Sequence, residues 1–149
     1  MPTTQPLRRS LPFDAATILH SGLVGASGAG TKSGNPVILP VGDAPFAGIM
    51  VVNVSAIEID TGNEKYGIVL QGSASATFAS GIENLTALDL GAAASGRWGG
   101  ARDSVVGRYE LRFLNVQRYT TFPYLRIYNF VSGTVATGIN YEAYLVPNA

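Results

Sequence analysis

The chain of 149 residues contains no cysteine, one histidine and one tryptophan, and only 13% of its residues are charged. Without cysteine it has neither disulfides nor thiolate metal ligands, and a single imidazole, His20, cannot build a histidine-based metal site. Ten basic residues offset ten acidic ones, so the overall field that attracts nucleic acid or an anionic membrane is missing. We therefore expect no metal, no cofactor and no nucleic-acid partner.

Long apolar runs are also missing. No stretch approaches the roughly 18 apolar residues of a transmembrane helix, and residues 1–10 lack the apolar core of a signal peptide. We therefore expect no membrane partner and no secretion. Mean hydropathy is nevertheless +0.20, so small polar and apolar groups must cover much of the surface. Such a surface is typical of a protein that is buried against partners.

Two parts of the chain differ in pattern. Residues 1–12 contain three prolines and the pair Arg8-Arg9, which predicts an extended N-terminal arm that reaches on the order of 40 Å, far enough to cross a neighbouring subunit. A disordered tail is the alternative. Residues 13–149 are long enough to bury a core and predict a single domain. Within it, residues 13–20 predict a helical turn or an edge strand, and the glycine-rich residues 22–34 predict a loop.

The rest of the chain consists of short β-rich runs separated by turn residues, without a long helix. The runs are Val37–Val41, Gly48–Asp60, Tyr66–Gly72, Glu83–Leu90, Val105–Val116, Phe122–Val131 and Ile139–Val146. Seven or eight such strands predict an all-β fold, an antiparallel β-sandwich of the jelly-roll kind.

Three runs carry more detailed predictions. Tyr109, Leu111 and Phe113 alternate with charged residues and should share one buried face. In Gly48–Asp60 the apolar residues change from even to odd positions, which predicts a β-bulge near Ser55-Ala56. In Ile139–Val146 both faces are apolar, so we expect both to be covered.

Two motifs resemble those of phosphate-binding and catalytic sites, but the neighbouring residues argue against both functions. Gly25–Ser33 differs from the motif of a phosphate-binding loop by one inserted residue, Thr31, which precedes Lys32. The following Asn35-Pro36 also disfavours the helix that such a loop requires. Asp60-Thr61-Gly62 matches the catalytic triplet of aspartic proteases, but we interpret it as a hairpin turn. Glu58 and Asp60 lie two residues apart and could bind a cation, but two carboxylates alone are equally typical of a solvated strand edge. We predict no enzyme.

The second glycine-rich stretch, residues 91–104, carries the only tryptophan, Trp98. An aromatic side chain on such a loop is either a flap over the core or a contact anchor. Arginines outnumber lysines eight to two, and arginine is the cation favoured at interfaces, although scattered surface arginines explain the count equally well.

Two segments resemble the capsid cement, or decoration, proteins of tailed bacteriophage heads, in particular the small trimeric jelly-roll type. One is Gln71–Gly91, similar to a strand, loop and Leu-Gly strand end of that family. The other combines Tyr124–Tyr128, Val131–Ile139 and Ala143–Val146, similar to its closing hairpin. Together with Val51–Leu70 the resemblance spans about residues 48–147 and includes no catalytic signature.

The resemblance implies a structural virion protein, made in the host cytoplasm, that binds the capsid surface as a homotrimer. It would stabilise the shell by bridging neighbouring major capsid proteins. We expect Arg8, Arg9, Leu11 and Phe13 to provide arm contacts, and Trp98 with Arg97 to form a loop anchor. The alternative is a carbohydrate-binding or tail or baseplate module that uses exposed tyrosines and Trp98. A homodimeric protease built on Asp60 is a third hypothesis.

Overall fold

The computed structural model describes residues 17–147, which form antiparallel sheets. The strands are β1 (Ile18–Val24), β2 (Gly28–Ala29), β3 (Thr31–Lys32), β4 (Asn35–Pro36), β5 (Leu39–Pro40), β6 (Ala47–Ile57), β7 (Lys65–Ser73), β8 (Glu83–Gly91), β9 (Gly107–Leu114), β10 (Val116–Gln117), β11 (Thr120–Thr121), β12 (Tyr124–Ser132) and β13 (Ile139–Pro147). A short 3-10 turn lies at Ala93–Ser95. In this part of the chain no helix has the length and apolarity needed to cross a membrane.

The long strands form two sheets. The first sheet has the order β1-β13-β6-β9, and the second sheet has the order β2-β12-β7-β8, with β5 also paired along β12. Two small ladders, β3-β4 and β10-β11, lie outside them. The prediction of an all-β antiparallel sandwich is confirmed.

The core lies between the inner faces of the two sheets. The first sheet contributes Leu19, Val24, Met50, Val52, Val54, Phe113, Ile139, Tyr141, Ala143 and Leu145, and the second contributes Tyr66, Ile68, Leu70, Leu90, Leu125 and Ile127. These residues recur at every second position because successive side chains of a strand point to opposite faces. Tyr109, Leu111 and Phe113 share the inner face of β9, as predicted, while the charged residues between them are exposed.

The predicted bulge in β6 is present. Asn140 pairs with Ala56 and Tyr141 pairs with Val54, so Ser55 is the extra residue. The bulge shifts the side-chain alternation by one position, which explains the change from even to odd apolar positions. The prediction that both faces of β13 are covered is also confirmed, because Tyr144 and Val146 are buried on the face opposite the core.

Two local predictions were wrong. Residues 22–34 are not a plain loop, because they contain β2, β3 and the start of the turn that leads into β4. The turn at Asp60–Gly62 is not a hairpin, since β6 belongs to the first sheet and β7 to the second. There the buried carboxylate of Glu64 accepts the backbone N–H groups of Thr61 and Gly62, at 3.0 and 2.9 Å, and fixes the crossing.

The predicted arm, residues 1–12, lies outside the described residues.

Residues 28–37 close the seam between β1 and β12, which we call the closed seam. The Gly30 N–H donates to the Ile127 carbonyl at 2.7 Å, and the Gly30 carbonyl accepts from Val37. A Cβ atom at Gly30 would lie 2.6 Å from the Leu19 carbonyl oxygen and 3.2 Å from the Ile127 Cβ. Only glycine therefore permits this approach between the two sheets.

A buried polar network lies beside the closed seam. The Thr31 N–H donates to His20 Nδ1 at 3.0 Å, so the ring carries its proton on Nε2 and donates it to the Gly22 carbonyl at 3.0 Å. The ring also packs against Tyr141, with centroids 4.3 Å apart, and the Tyr141 hydroxyl donates to Asn129 Oδ1. Burial lowers the pKa of His20 below its usual value, although the Gly22 carbonyl acts in the opposite direction.

We expect Gly30→Ala to lower the free energy of unfolding by about 1–3 kcal/mol, because backbone atoms would have to move to admit the methyl group. Gly28→Ala is the matched control, since nothing lies within 4 Å of its Cβ position. Urea unfolding followed by intrinsic fluorescence measures both. Equal effects of the two substitutions would show that the Gly30 contact does not hold the seam.

The neutral His20 ring makes stability depend on pH. The unfolded chain binds a proton below about pH 6.5, whereas the folded chain resists protonation, so the free energy of unfolding should fall as the pH decreases through this range. The slope is limited by one proton to about 1.4 kcal/mol per pH unit.

Urea unfolding between pH 7.5 and 5, compared with His20→Gln, measures this dependence. The variant should lose the slope. A wild-type histidine proton resonance that titrates at or above pH 6.5 in the folded protein would contradict the prediction.

Candidate functional site

The seam on the opposite side of the sandwich is open. Among residues 17–147, β8 pairs only with β7 and β9 only with β6, so both are edge strands. Their edges lie side by side, and two hollows open to solvent lie along them. We call the two edges and their hollows together the open seam. One hollow, of about 570 Å³, is lined by β8, Tyr109 and the loop around Trp98. The other, of about 350 Å³, lies between Leu85 and the end of β9, next to Gln117.

The Trp98 loop forms one end of the open seam. The Arg97 guanidinium donates to the carbonyls of Ala92 at 3.3 Å, Asp89 at 3.2 Å and Arg102. The Asp89 carboxylate accepts the Gly99 N–H. These bonds hold the backbone on both sides of Trp98, whose side chain is nevertheless fully exposed. Of the two roles considered for Trp98, its exposure excludes a flap over the core, and the contact anchor stays a prediction.

The β10–β11 hairpin forms the other end. Its two-residue loop, Arg118-Tyr119, has positive φ angles of 51° and 65°, as in a type I′ turn. This turn strongly prefers Asn-Gly, and each other residue in the left-handed region costs about 1 kcal/mol or more. The Tyr119 side chain is fully exposed. The hairpin thus holds a tyrosine in solvent at the expense of stability, and no sequence motif indicates it.

A buried asparagine holds the base of this hairpin. Asn115 Oδ1 accepts the Phe46 N–H at 2.6 Å, while Nδ2 donates to the carbonyls of Ala44 at 3.2 Å and Phe122 at 3.0 Å. The Phe122 N–H donates to the Asn115 carbonyl, which closes the hairpin base. The position of Tyr119 is therefore set by a completely buried side chain.

Gln117 leaves an unused acceptor at the open seam. Its Oε1 atom is buried and receives no hydrogen bond from the described residues, and its side chain lines the smaller hollow. A buried acceptor without a donor is unfavourable by about 1–3 kcal/mol. A bound group that donates an N–H or O–H bond would remove this penalty.

The rim of the open seam carries arginines and apolar side chains, while the Asp89 and Asp103 carboxylates of the larger hollow accept the backbone N–H groups of Gly99 and Ala93. No carboxylate in residues 17–147 lies within ion-pair distance of Arg102 or Arg112, and Arg118 lies 3.8 Å from Glu83. Exposed apolar side chains lie beside these arginines: Val105, Val106, Leu114 and Ile82. Such a rim suits a partner with apolar groups and some negative charge.

The predicted contact residues are distributed unevenly. Arg8, Arg9, Leu11 and Phe13 lie outside the described residues. Arg97 and Trp98 are adjacent at the open seam, but they differ in geometry, because Arg97 donates to carbonyls of its own loop while Trp98 points into solvent. Sequence reasoning missed Tyr119, Gln117 and Asn115.

The motifs considered for chemistry have structural partners. Glu58 accepts the backbone N–H groups of Ala136, Thr137 and Gly138 at 2.6–3.0 Å, and these bonds lower the pKa of Glu58 to about 2. It therefore holds the β12–β13 turn in place. The loop that resembles a phosphate site runs through β2 and β3 and does not begin a helix.

No protein-family model and no curated protein matches this chain.

Replacing Arg118-Tyr119 by Asn-Gly should raise the free energy of unfolding by about 1 kcal/mol, because Asn and Gly accept the positive φ angles. Urea unfolding measures the change. Arg118→Lys with Tyr119→Phe is the matched control, since it keeps unsuited residues in the turn and should leave stability unchanged. A less stable Asn-Gly variant would contradict the assignment of strain to this turn.

Proposed function

We propose that this protein is a structural component of a tailed-phage virion that binds the outside of the capsid and stabilises it. The observation that carries the proposal is the open seam, with an exposed aromatic side chain at each end. A protein without a partner gains nothing from exposing Trp98, or from a turn that is strained while it presents Tyr119. Tryptophan, tyrosine and arginine are the residues that contribute most to binding at protein interfaces.

The strand order supports this proposal. We count β2–β5 as one segment and leave out the short β10–β11 hairpin, so that the sandwich has eight segments in chain order. In this numbering the first sheet has the order first-eighth-third-sixth, and the second sheet has the order second-seventh-fourth-fifth. This alternation of strands between two sheets supports the proposal of a jelly roll with two Greek keys. It is the fold that the resemblance to capsid cement proteins implies.

The partner at the open seam is proposed to be an extended segment of the major capsid protein. An extended peptide can add to the free edge of β8 or β9, where backbone hydrogen bonds supply affinity and side-chain pockets supply specificity. A backbone N–H of that segment would satisfy the buried Gln117 Oε1. Apolar side chains of the segment would fill the two hollows, and acidic ones would face Arg102 and Arg112.

A homotrimer belongs to the same proposal. A trimer placed over a junction between neighbouring capsid proteins can bind more than one of them and so connect them. Light scattering at several concentrations measures the native mass, which for a trimer is three times the 15.6 kDa of the chain. A monomer would mean that the capsid itself templates any assembly.

A second candidate function, carbohydrate binding, is favoured by the outer face of the second sheet. The Arg126 guanidinium lies 4.4 Å from the ring centroid of Phe78 and 5.2 Å from that of Tyr128. The Tyr128 ring is followed by Phe130, 4.9 Å away and partly exposed. The half-buried Tyr128 ring and the exposed Phe130 ring, beside the hydrogen-bonded pair Arg126 and Gln71, offer a surface that sugars could stack against.

We expect the double variant Trp98→Ala/Tyr119→Ala to bind purified heads of the encoding phage at least about 30-fold more weakly than wild type, the loss typical of removing interface hot spots. Co-sedimentation with heads that lack the protein measures the affinity. Both side chains are exposed, so the fold and its urea midpoint should not change.

Leu23→Ala is the matched control, because Leu23 is an exposed apolar residue of β1, away from the open seam. Wild-type affinity in the double variant would overturn the role of the open seam. Absence of head binding by the wild type, together with saturable binding on a glycan array that Phe130→Ser abolishes, would replace the proposal by carbohydrate binding.

A further inference from the structure

The first sheet carries a second apolar cluster on its outer face, away from the core. Its members are Ile18, Ile49, Val51, Tyr144 and Val146. Ile18 pairs with Tyr144, which pairs with Val51, and Val146 pairs with Ile49 in the next row. The five side chains therefore form one continuous patch over β1, β13 and β6, which we call the outer patch.

The outer patch is buried although it faces away from the sandwich. Val51 is 0% exposed, and the other four residues are between 4% and 6% exposed. On the same face, toward the other end of the sheet, Ser21 and Ser55 are exposed and Glu142 is half-buried. Burial on this face is thus confined to the apolar end, as expected where a further layer of chain lies over it.

The described residues do not supply that layer. The inner core has half-buried apolar side chains from several loops packed around it. By contrast, no further apolar side chain of residues 17–147 is packed against the outer patch. Glu110 and Arg112 of β9 lie beside Val51 and Ile49 on this face, but both residues are exposed. An apolar cover for the five outer side chains must therefore be sought outside this range.

Residues 1–16 start from the edge of the outer patch. Ile18 belongs to the patch, and the Thr17 hydroxyl donates to the Leu145 carbonyl at 2.8 Å, so the preceding residue is tethered beside it. The patch spans three strands, about 10 Å, whereas sixteen residues extend up to about 50 Å. Such a tether also gives the segment a high effective concentration at the patch.

The sequence of this segment suits an apolar surface. Leu11, Phe13 and Ala15 occur at every second position, so an extended chain can present all three to one side.

We propose that residues 11–16 of the same chain cover the outer patch as a third layer of the fold. Leu11 and Phe13 then stabilise the subunit, and only residues 1–10, with Arg8 and Arg9, remain available to reach a partner. The proposal does not depend on capsid binding, because it concerns the isolated protein.

Thiol protection tests the proposal directly, since the wild-type chain has no cysteine. In Ala15→Cys the thiol should react with a disulfide reagent at least about tenfold more slowly than in Thr4→Cys, because reaction requires local opening. The substitution is small and keeps Leu11 and Phe13. Equal reaction rates for the two thiols would overturn the proposal.

Truncation provides a second test. Deleting residues 1–10 should leave the urea midpoint unchanged, whereas Leu11→Ser/Phe13→Ser should lower it and increase the binding of a dye specific for apolar surface. If the double substitution changes neither quantity, residues 11–16 do not cover the patch. Protection of the Ala15→Cys thiol that disappears on dilution would assign the cover to a second copy and overturn the assignment to the same chain.

Discussion

Two stacked sheets have four edge strands, and each unpaired edge exposes backbone groups that can pair with another chain. This constraint organises the molecule. At the closed seam, residues 28–37 bridge β1 and β12, and the absence of a side chain at Gly30 allows the two sheets to meet. At the open seam, β8 and β9 have no partner strand among the described residues. The sandwich is therefore protected on one side and available for binding on the other.

Polar side chains, two of them buried, hold the loops in position. Asn115 fixes the hairpin that ends in Tyr119, Glu64 fixes the crossing between β6 and β7, and Glu58 fixes the β12–β13 turn. Burial opposes the charge of Glu64, but hydrogen bonds from the Thr61 and Gly62 amides outweigh it and keep its pKa below the usual value. Each group uses its hydrogen-bonding capacity within the fold. This makes the surface loops rigid enough to present Trp98 and Tyr119 at defined places.

Rigid presentation suits a permanent structural contact better than catalysis. A loop backbone that is already held in one arrangement loses little entropy when its exposed side chains bind, so a moderate contact area yields useful affinity. The low charge of the chain also favours affinity, because few charged side chains must be desolvated when the surface is buried. The proposed role on a capsid under internal pressure requires these properties, and the proposed third layer over the outer patch would make the subunit stiffer.

The sequence by itself determined the all-β class, the bounds of β7, β8 and β13 to within one residue, the inner face of β9 and the bulge at Ser55. Those features follow from the alternation of neighbouring residues, which is a local property of the chain. Trp98 could also be selected from the sequence, because it is the only tryptophan and lies on a glycine-rich loop.

Only the tertiary structure decided the crossing at Asp60–Gly62, the closed seam at Gly30, the internal bonds of Arg97 and the presentation of Tyr119. The closed seam and the base of the Tyr119 hairpin join groups far apart in sequence, Gly30 with Ile127 and Asn115 with Phe46. The bonds of Arg97 and Glu64 join residues close in sequence, but no turn motif indicates them. Turn residues indicate that the chain reverses, but they do not say which sheet it joins next. That choice depends on how the apolar faces of distant strands pack together, and no short pattern records it.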